Sequence, residues 1–82
     1  MNNRPIRIKD LPLLLERKGD DGKPVTFNCR VFKKDGTAVD YAGVYCSSSF
    51  HNGTRNLVLP NGEIRKVRDL FFISVNGREV IV

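Results

Sequence analysis

The chain has 82 residues, 40% of them hydrophobic and 28% charged, and its 14 Lys and Arg against 9 Asp and Glu give a net charge of +5. This size allows one domain with a small core, and the apolar content excludes an intrinsically disordered chain. The positive charge attracts anionic partners, so nucleic acid and an acidic protein surface are both candidates, although a charge of this size also serves solubility alone.

The amino-terminal segment carries no targeting or membrane signal. It lacks the apolar core of about 7 to 15 residues that defines a signal peptide. The longest apolar run, Leu11–Leu15, is far shorter than the roughly 20 residues that cross a bilayer. We therefore expect a cytoplasmic protein. Residues 1–5 are predicted to form a flexible arm.

A short strand and a single helix are predicted next. Ile6 and Ile8 alternate with basic residues, as in a strand. Residues 10–18 are predicted to be helical from an N-cap, three leucines at helical spacing and two closing basic residues: Asp10, Leu11, Leu14, Leu15, Arg17 and Lys18. Two turns of helix are unstable alone, so the leucines must pack on another element, and covering the open end of a barrel is the expected role.

The first hairpin follows a turn at residues 20–24. Residues 25–31 alternate between apolar and polar side chains, which predicts a half-buried strand, and residues 33–37 form a loop with Gly36 in the left-handed conformation. This loop predicts four facing pairs: Val31 with Val39, Cys29 with Tyr41, Phe27 with Gly43, and Val25 with Tyr45.

A different turn would change this register. A two-residue turn shifts the pairing by one residue and turns Tyr41 and Tyr45 outward. We prefer the three-residue loop, because it places Asp40 opposite Arg30 as a charge partner.

The preferred register also separates the two cysteines. Cys46 lies five residues beyond Tyr41, the residue opposite Cys29. At roughly 3.3 Å per residue this gap is about 16 Å, well beyond the limit of about 7 Å for a disulfide. We expect free thiols in a reducing compartment.

The carboxy-terminal part is predicted to be a three-stranded meander. A short strand with Leu57 and Leu59 leads through a turn at residues 59–63 into residues 64–75, the longest predicted strand. Its apolar parity changes near Lys66, which indicates a bulge or a sharp bend. An Asn-Gly turn at residues 76–77 then gives the facing pairs Ile73 with Val80 and Phe71 with Val82.

These elements predict a mostly β fold, either a small antiparallel barrel or a strongly bent sheet, SH3-like or OB-like, with five to six strands and one short amino-terminal helix. The chain forms one domain over residues 1–82, with an arm (1–5), a helix (10–18) and a β meander (24–82).

The side chains that catalysis or metal binding requires are not grouped. His51, the single histidine, lies among serines without an orienting carboxylate. One His and two Cys on opposite faces cannot supply four zinc ligands, and adjacent Asp20 and Asp21 fit a turn better than a calcium loop. We expect no enzymatic activity, no metal and no cofactor.

The basic residues give the positive functional signal. We predict that Arg55, Arg65, Lys66 and Arg68 contact phosphates, with Lys33 and Lys34 at the rim and Arg4, Arg7 and Lys9 on the arm. The alternative is that basic residues on edge strands only discourage aggregation. Aromatic platforms for bases are few, because the preferred register buries Tyr41 and Tyr45 and leaves Phe32 and Phe50.

Three segments in the second half of the chain carry a resemblance: 43–46 (Gly-Val-Tyr-Cys), 54–57 (Thr-Arg-Asn-Leu) and 59–68 (Leu-Pro-Asn-Gly-Glu-Ile-Arg-Lys-Val-Arg). This half resembles uncharacterised small β proteins of bacterial prophages and mobile elements. The resemblance implies an accessory product of a mobile element, a class that includes nucleic-acid binders, structural components and inhibitors of host proteins.

Two functions are therefore predicted. The first is a non-catalytic domain that binds nucleic acid electrostatically with low sequence specificity. The second is a protein-interaction module, a homodimer or an inhibitor of a host protein, which uses the edge of the carboxy-terminal hairpin or the apolar surface around Phe71 and Phe72.

Overall fold

The computed structural model describes residues 4–49 and 53–81. Its strands are β1 (Ile6–Arg7), β2 (Phe27–Phe32), β3 (Ala38–Ser49), β4 (Thr54–Val58), β5 (Ile64–Arg68), β6 (Phe72–Val75) and β7 (Arg78–Ile81). Its helical segments are the helix α1 (Leu11–Leu15) and two 3₁₀ turns, Ile8–Asp10 and Asp69–Phe71. No helix in these ranges has the length and apolar character needed to cross a lipid bilayer.

All the strands belong to one mixed sheet in the order β1-β7-β6-β2-β3-β4-β5. Among the described strands, only the pairing of β1 with β7 is parallel. The mostly β class and the short helix are confirmed. The described sheet has seven strands instead of five or six, and it is not closed into a barrel by hydrogen bonds.

The short helix completes the core. Leu11 and Leu15 are buried with apolar residues from strands across the sheet, which confirms that the leucines pack on another element. The helix ends earlier than residue 18, because the following backbone pairs with the chain that returns through the turn. The carbonyl of Arg17 accepts the Val25 N–H at 3.0 Å, and Gly19 donates to the Lys23 carbonyl at 2.8 Å.

The predicted register of the first hairpin is confirmed over its outer part. Cys29 pairs with Tyr41, and Arg30 faces Asp40 with an Nε to Oδ1 distance of 2.7 Å. Nearer the start of β2 the prediction is wrong, because Phe27 pairs with Val44 instead of Gly43.

A bulge at Gly43 accounts for that shift. Gly43 has φ = +65° and donates its N–H to the side-chain carbonyl of Asn28 at 3.0 Å, so one extra residue is accommodated in β3. Val25 lies outside β2, where it bonds to Arg17, and therefore does not face Tyr45.

The predicted long strand over residues 64–75 is divided into β5 and β6. The bend predicted near Lys66 is not present. The ladder between β4 and β5 runs without a shift from Val58–Ile64 to Thr54–Arg68. The apparent change of parity arose because Ile64 is exposed and not part of the core. The chain turns instead at Asp69–Phe71, where the Asp69 N–H donates to the Gly53 carbonyl at 2.8 Å. β3, with 12 residues, is the longest of the described strands.

This break requires the sheet to curl. β5 and β6 are four strand spacings apart in the sheet order, which is about 19 Å on a flat sheet at roughly 4.8 Å per spacing. The chain from Arg68 to Phe72 spans at most about 14 Å even when extended. The end of β5 must therefore return towards β6 and β2.

The remaining turns follow their predictions. Asn76 and Gly77 have φ of 51° and 79°, as a two-residue hairpin requires, and Ser74 pairs with Glu79 in the predicted register. Phe71 lies in the 3₁₀ turn and does not extend β6. Val82, Phe50 and His51 lie outside the described residues, as do residues 1–3 of the predicted arm.

Candidate nucleic-acid interface

The curl of the sheet produces a groove of about 560 Å³. It is lined by Phe32, Lys33, Lys34, Thr54, Lys66, Val67, Arg68 and Phe71. These residues come from β2, the β2–β3 loop, β4, β5 and the second 3₁₀ turn. The groove thus gathers four of the six predicted phosphate contacts, and none of its described lining residues is a carboxylate.

The strand β5 places two of these cations. Val67 is buried, and the residues on either side of it, Lys66 and Arg68, are exposed, as the period of two requires. Both basic residues lie in the last three residues of β5, directly before the chain leaves the sheet. They therefore lie where β5 approaches β2.

A tight loop presents the other two cations. The Lys33 N–H donates to the Thr37 carbonyl at 2.7 Å, and the Gly36 N–H donates to the Lys33 carbonyl at 3.0 Å. The Asp35 carboxylate accepts hydrogen bonds from the Thr37 hydroxyl at 2.7 Å and from its backbone N–H at 3.0 Å. These bonds lower the pKa of Asp35, which stays ionised and holds the loop that carries Lys33 and Lys34.

Arg55 lies inside the protein and is not available as a solvent-facing phosphate contact. Its side chain is 4% exposed and forms a two-pronged ion pair with Asp69, with Nε–Oδ1 and Nη2–Oδ2 distances of 2.6 and 3.0 Å. Its Nη1 lies 3.8 Å from the Cys46 sulfur and 3.8 Å from a Glu16 carboxylate oxygen. We therefore remove Arg55 from the candidate phosphate contacts.

The burial of Arg55 could have been predicted from its position in the strand. Arg55 has the same strand parity as Leu57, a core residue, and pairs with buried Val67. Residues of one parity share a face of a strand, so Arg55 points inward with Leu57.

Arg65 also lies outside the groove. It forms an ion pair with Glu63 and donates a hydrogen bond from Nη1 to the Ile64 carbonyl at 3.3 Å. Arg7 and Lys9 of the amino-terminal segment line a separate, smaller groove with Ile8 and Ile81.

The aromatic residues of the groove are Phe32 and Phe71. Phe32 ends β2 and is 47% exposed, while Phe71 is half-buried against the core. Tyr41 and Tyr45, which the preferred register was expected to bury, are half-buried. Sequence reasoning identified Phe32 but not Phe71, whose position depends on the 3₁₀ turn.

The surfaces predicted for protein interaction are largely covered. The outer edge of the carboxy-terminal hairpin pairs with β1 at Val80 and Ile81, and Phe72 is buried. Phe71, the remaining member of that apolar surface, lies in the basic groove.

Both cysteines are free thiols, as predicted. Burial raises the pKa of Cys29 to about 12, with the Asp40 charge adding to the effect. Burial also raises the pKa of Cys46, although the Arg55 guanidinium opposes this shift. Among the described residues no three His, Cys, Asp or Glu side chains are grouped as metal ligands.

We expect the two thiols to differ in reactivity. At pH 8 the rise of the Cys29 pKa from 9.0 to about 12 lowers its thiolate fraction about a thousandfold. Iodoacetamide should therefore modify half-buried Cys46 slowly and leave Cys29 unmodified until the protein is unfolded in urea. Mass spectrometry of peptides from native and unfolded samples measures both, and rapid native labelling of Cys29 would contradict its burial.

Comparisons of the chain with protein-family models, with curated proteins and with solved structures found no match. The function is therefore inferred from the groove itself.

Proposed function

We propose that this protein is a non-catalytic domain that binds nucleic acid through its phosphate backbone, with low sequence specificity. The observation that carries the proposal is the convergence of Lys33, Lys34, Lys66 and Arg68 on one groove. Lys33 and Lys34 come from the β2–β3 loop, and Lys66 and Arg68 come from the edge strand β5, which lies three positions from β2 in the sheet. A set of cations on one groove neutralises consecutive phosphates and releases their counterions.

The curled sheet supports a finer assignment of the fold, an SH3-like small barrel. The strands β2 to β5 form a meander, and β6 follows a 3₁₀ turn and pairs with β2. From the resemblance given in the sequence analysis we also propose that the protein is a cytoplasmic accessory protein of a mobile element.

The four cations set the expected salt dependence. Each phosphate contact contributes about 0.7 to 0.9 to the slope of log affinity against log salt concentration. Four contacts predict a slope of about −3 for this groove. Fluorescence anisotropy with labelled DNA and RNA oligonucleotides, single- and double-stranded, measures this slope between low and moderate salt.

A pair of matched variants tests the location. Lys34→Gln/Arg68→Gln removes two groove charges, one from each element, and should reduce the slope by about 1.5. Arg7→Gln/Lys9→Gln removes the same net charge from the separate groove and should leave the slope unchanged. Equal effects of the two double variants, or no binding to any of the oligonucleotides at low salt, would overturn the proposal.

A further inference from the structure

We infer that the groove takes single-stranded nucleic acid and that one base stacks on the ring of Phe32. This inference rests on the proposed function and names the substrate class of the same site. It is carried by an exposed aromatic ring among the phosphate-binding cations.

Phe32 is a large apolar residue at an exposed position of β2. The buried residues of β2 are Phe27, Cys29 and Val31, and Phe32 points to the opposite side, where it is 47% exposed. Nearly half of its surface remains in contact with water, so apolar area is left with which a ligand can pack. Its position directly before Lys33 places its apolar surface in the basic groove.

The combination of charge and ring favours an unpaired strand over a duplex. In a duplex the faces of the bases are covered by their neighbours, so an aromatic side chain gains nothing from them unless it unstacks a step. In a single strand the bases can turn out and stack on aromatic side chains while the phosphates meet basic residues. Phe71 adds a second apolar wall in the same groove.

The size of the groove agrees with this choice. A volume of about 560 Å³ lies within the range of roughly 300–1,000 Å³ of pockets that hold small molecules. Such a space is large enough for a base with its sugar. Because every base has a π-face, stacking on Phe32 preserves low sequence specificity.

The test compares two oligonucleotides that carry the same phosphates. One is a ten-residue oligothymidylate, and the other is an abasic strand of equal length. Stacking of one base predicts that the protein binds the thymidylate strand about 5-fold to about 150-fold more tightly than the abasic strand at the same salt concentration. An unlabelled duplex of equal length should compete less well than the single strand.

Two substitutions of Phe32 distinguish the effect of an aromatic ring from the effect of a large apolar side chain. Phe32→Leu keeps an apolar side chain but removes the aromatic face, so it should abolish the preference for thymidylate and leave abasic binding and the salt slope unchanged. Phe32→Tyr keeps the ring and should retain the preference. Thermal unfolding of both variants verifies that they are folded.

The outcomes distinguish this inference from the proposed function. If wild-type protein binds thymidylate and abasic strands equally, or binds the duplex best, the stacking inference fails while electrostatic binding stands. If Phe32→Leu weakens abasic binding as strongly as thymidylate binding, the ring acts through the structure of the groove and the inference also fails. If no oligonucleotide binds at low salt, the proposed function itself fails.

Discussion

Replacing Arg55 with Ala should lower the free energy of unfolding by about 3 kcal/mol. Removing one partner of a buried ion pair costs about 3 to 5 kcal/mol, because the other charge stays uncompensated. The lower end applies here, since Asp69 is 17% exposed and keeps some contact with water. Urea unfolding followed by circular dichroism measures the loss, a large part of the stability of so small a domain.

The matched control is Arg65→Ala. Arg65 and its partner Glu63 are both close to half exposed, so their pair contributes at most about 1 kcal/mol. Arg55→Lys should restore little, since an ammonium group cannot form the two-pronged bond to Asp69. Equal losses for Arg55→Ala and Arg65→Ala would show that the buried pair does not stabilise the fold.

The same variant separates structure from binding. Arg55, in β4, contacts Glu16 directly after α1, Cys46 in β3 and Asp69 in the second 3₁₀ turn. Arg55 does not line the groove, so the salt slope of the folded fraction of Arg55→Ala should equal that of the wild type. A reduced salt slope in the folded variant would return Arg55 to the phosphate contacts.

Local sequence patterns were sufficient for the hairpins. The Asn76–Gly77 turn and the facing pair Arg30–Asp40 depend on neighbours within a few residues, and both are confirmed. The bulge at Gly43 was not predictable from the alternation alone, because the Gly43 N–H donates a hydrogen bond to the side-chain oxygen of Asn28 in the partner strand.

The global arrangement depends on contacts far apart in the sequence. β6 pairs with β2 across more than 40 residues, and β1 pairs in parallel with β7 near the other end of the chain. No local pattern encodes these pairings. The break at Asp69 likewise follows from its bond to Gly53 and its ion pair with Arg55.

The exposure of four of the candidate basic residues was predictable from their positions in the sequence. Lys66 and Arg68 flank a buried valine, so their exposure follows from the strand period, whereas Lys33 and Lys34 are exposed because they lie in the hairpin loop after β2. Arg55 was expected at the surface because of its charge, but it is buried on the same face of β4 as Leu57. A buried arginine needs a partner, and Asp69 comes within reach only through the fold.

Replacing Leu15 with Ala should destabilise the protein by about 2 to 5 kcal/mol, the usual cost of removing a buried leucine side chain. Leu15 is 1% exposed and belongs to the same core as the strands, so the truncation leaves a cavity between helix and sheet. The helix has five residues and cannot be stable alone, and its order depends on this packing. Thermal and urea unfolding measure the effect.

Leu13→Ala is the matched control in the same turn of helix. Leu13 is 78% exposed, so its truncation removes little buried area and should change the free energy of unfolding by less than about 0.5 kcal/mol. The two substitutions alter helix propensity equally, so the difference between them isolates the packing of α1 on the sheet. A small loss for both would mean that the strands form the core without the helix. A large loss for Leu15→Ala alone makes α1 part of the scaffold that keeps the curled sheet, and therefore the basic groove, in shape.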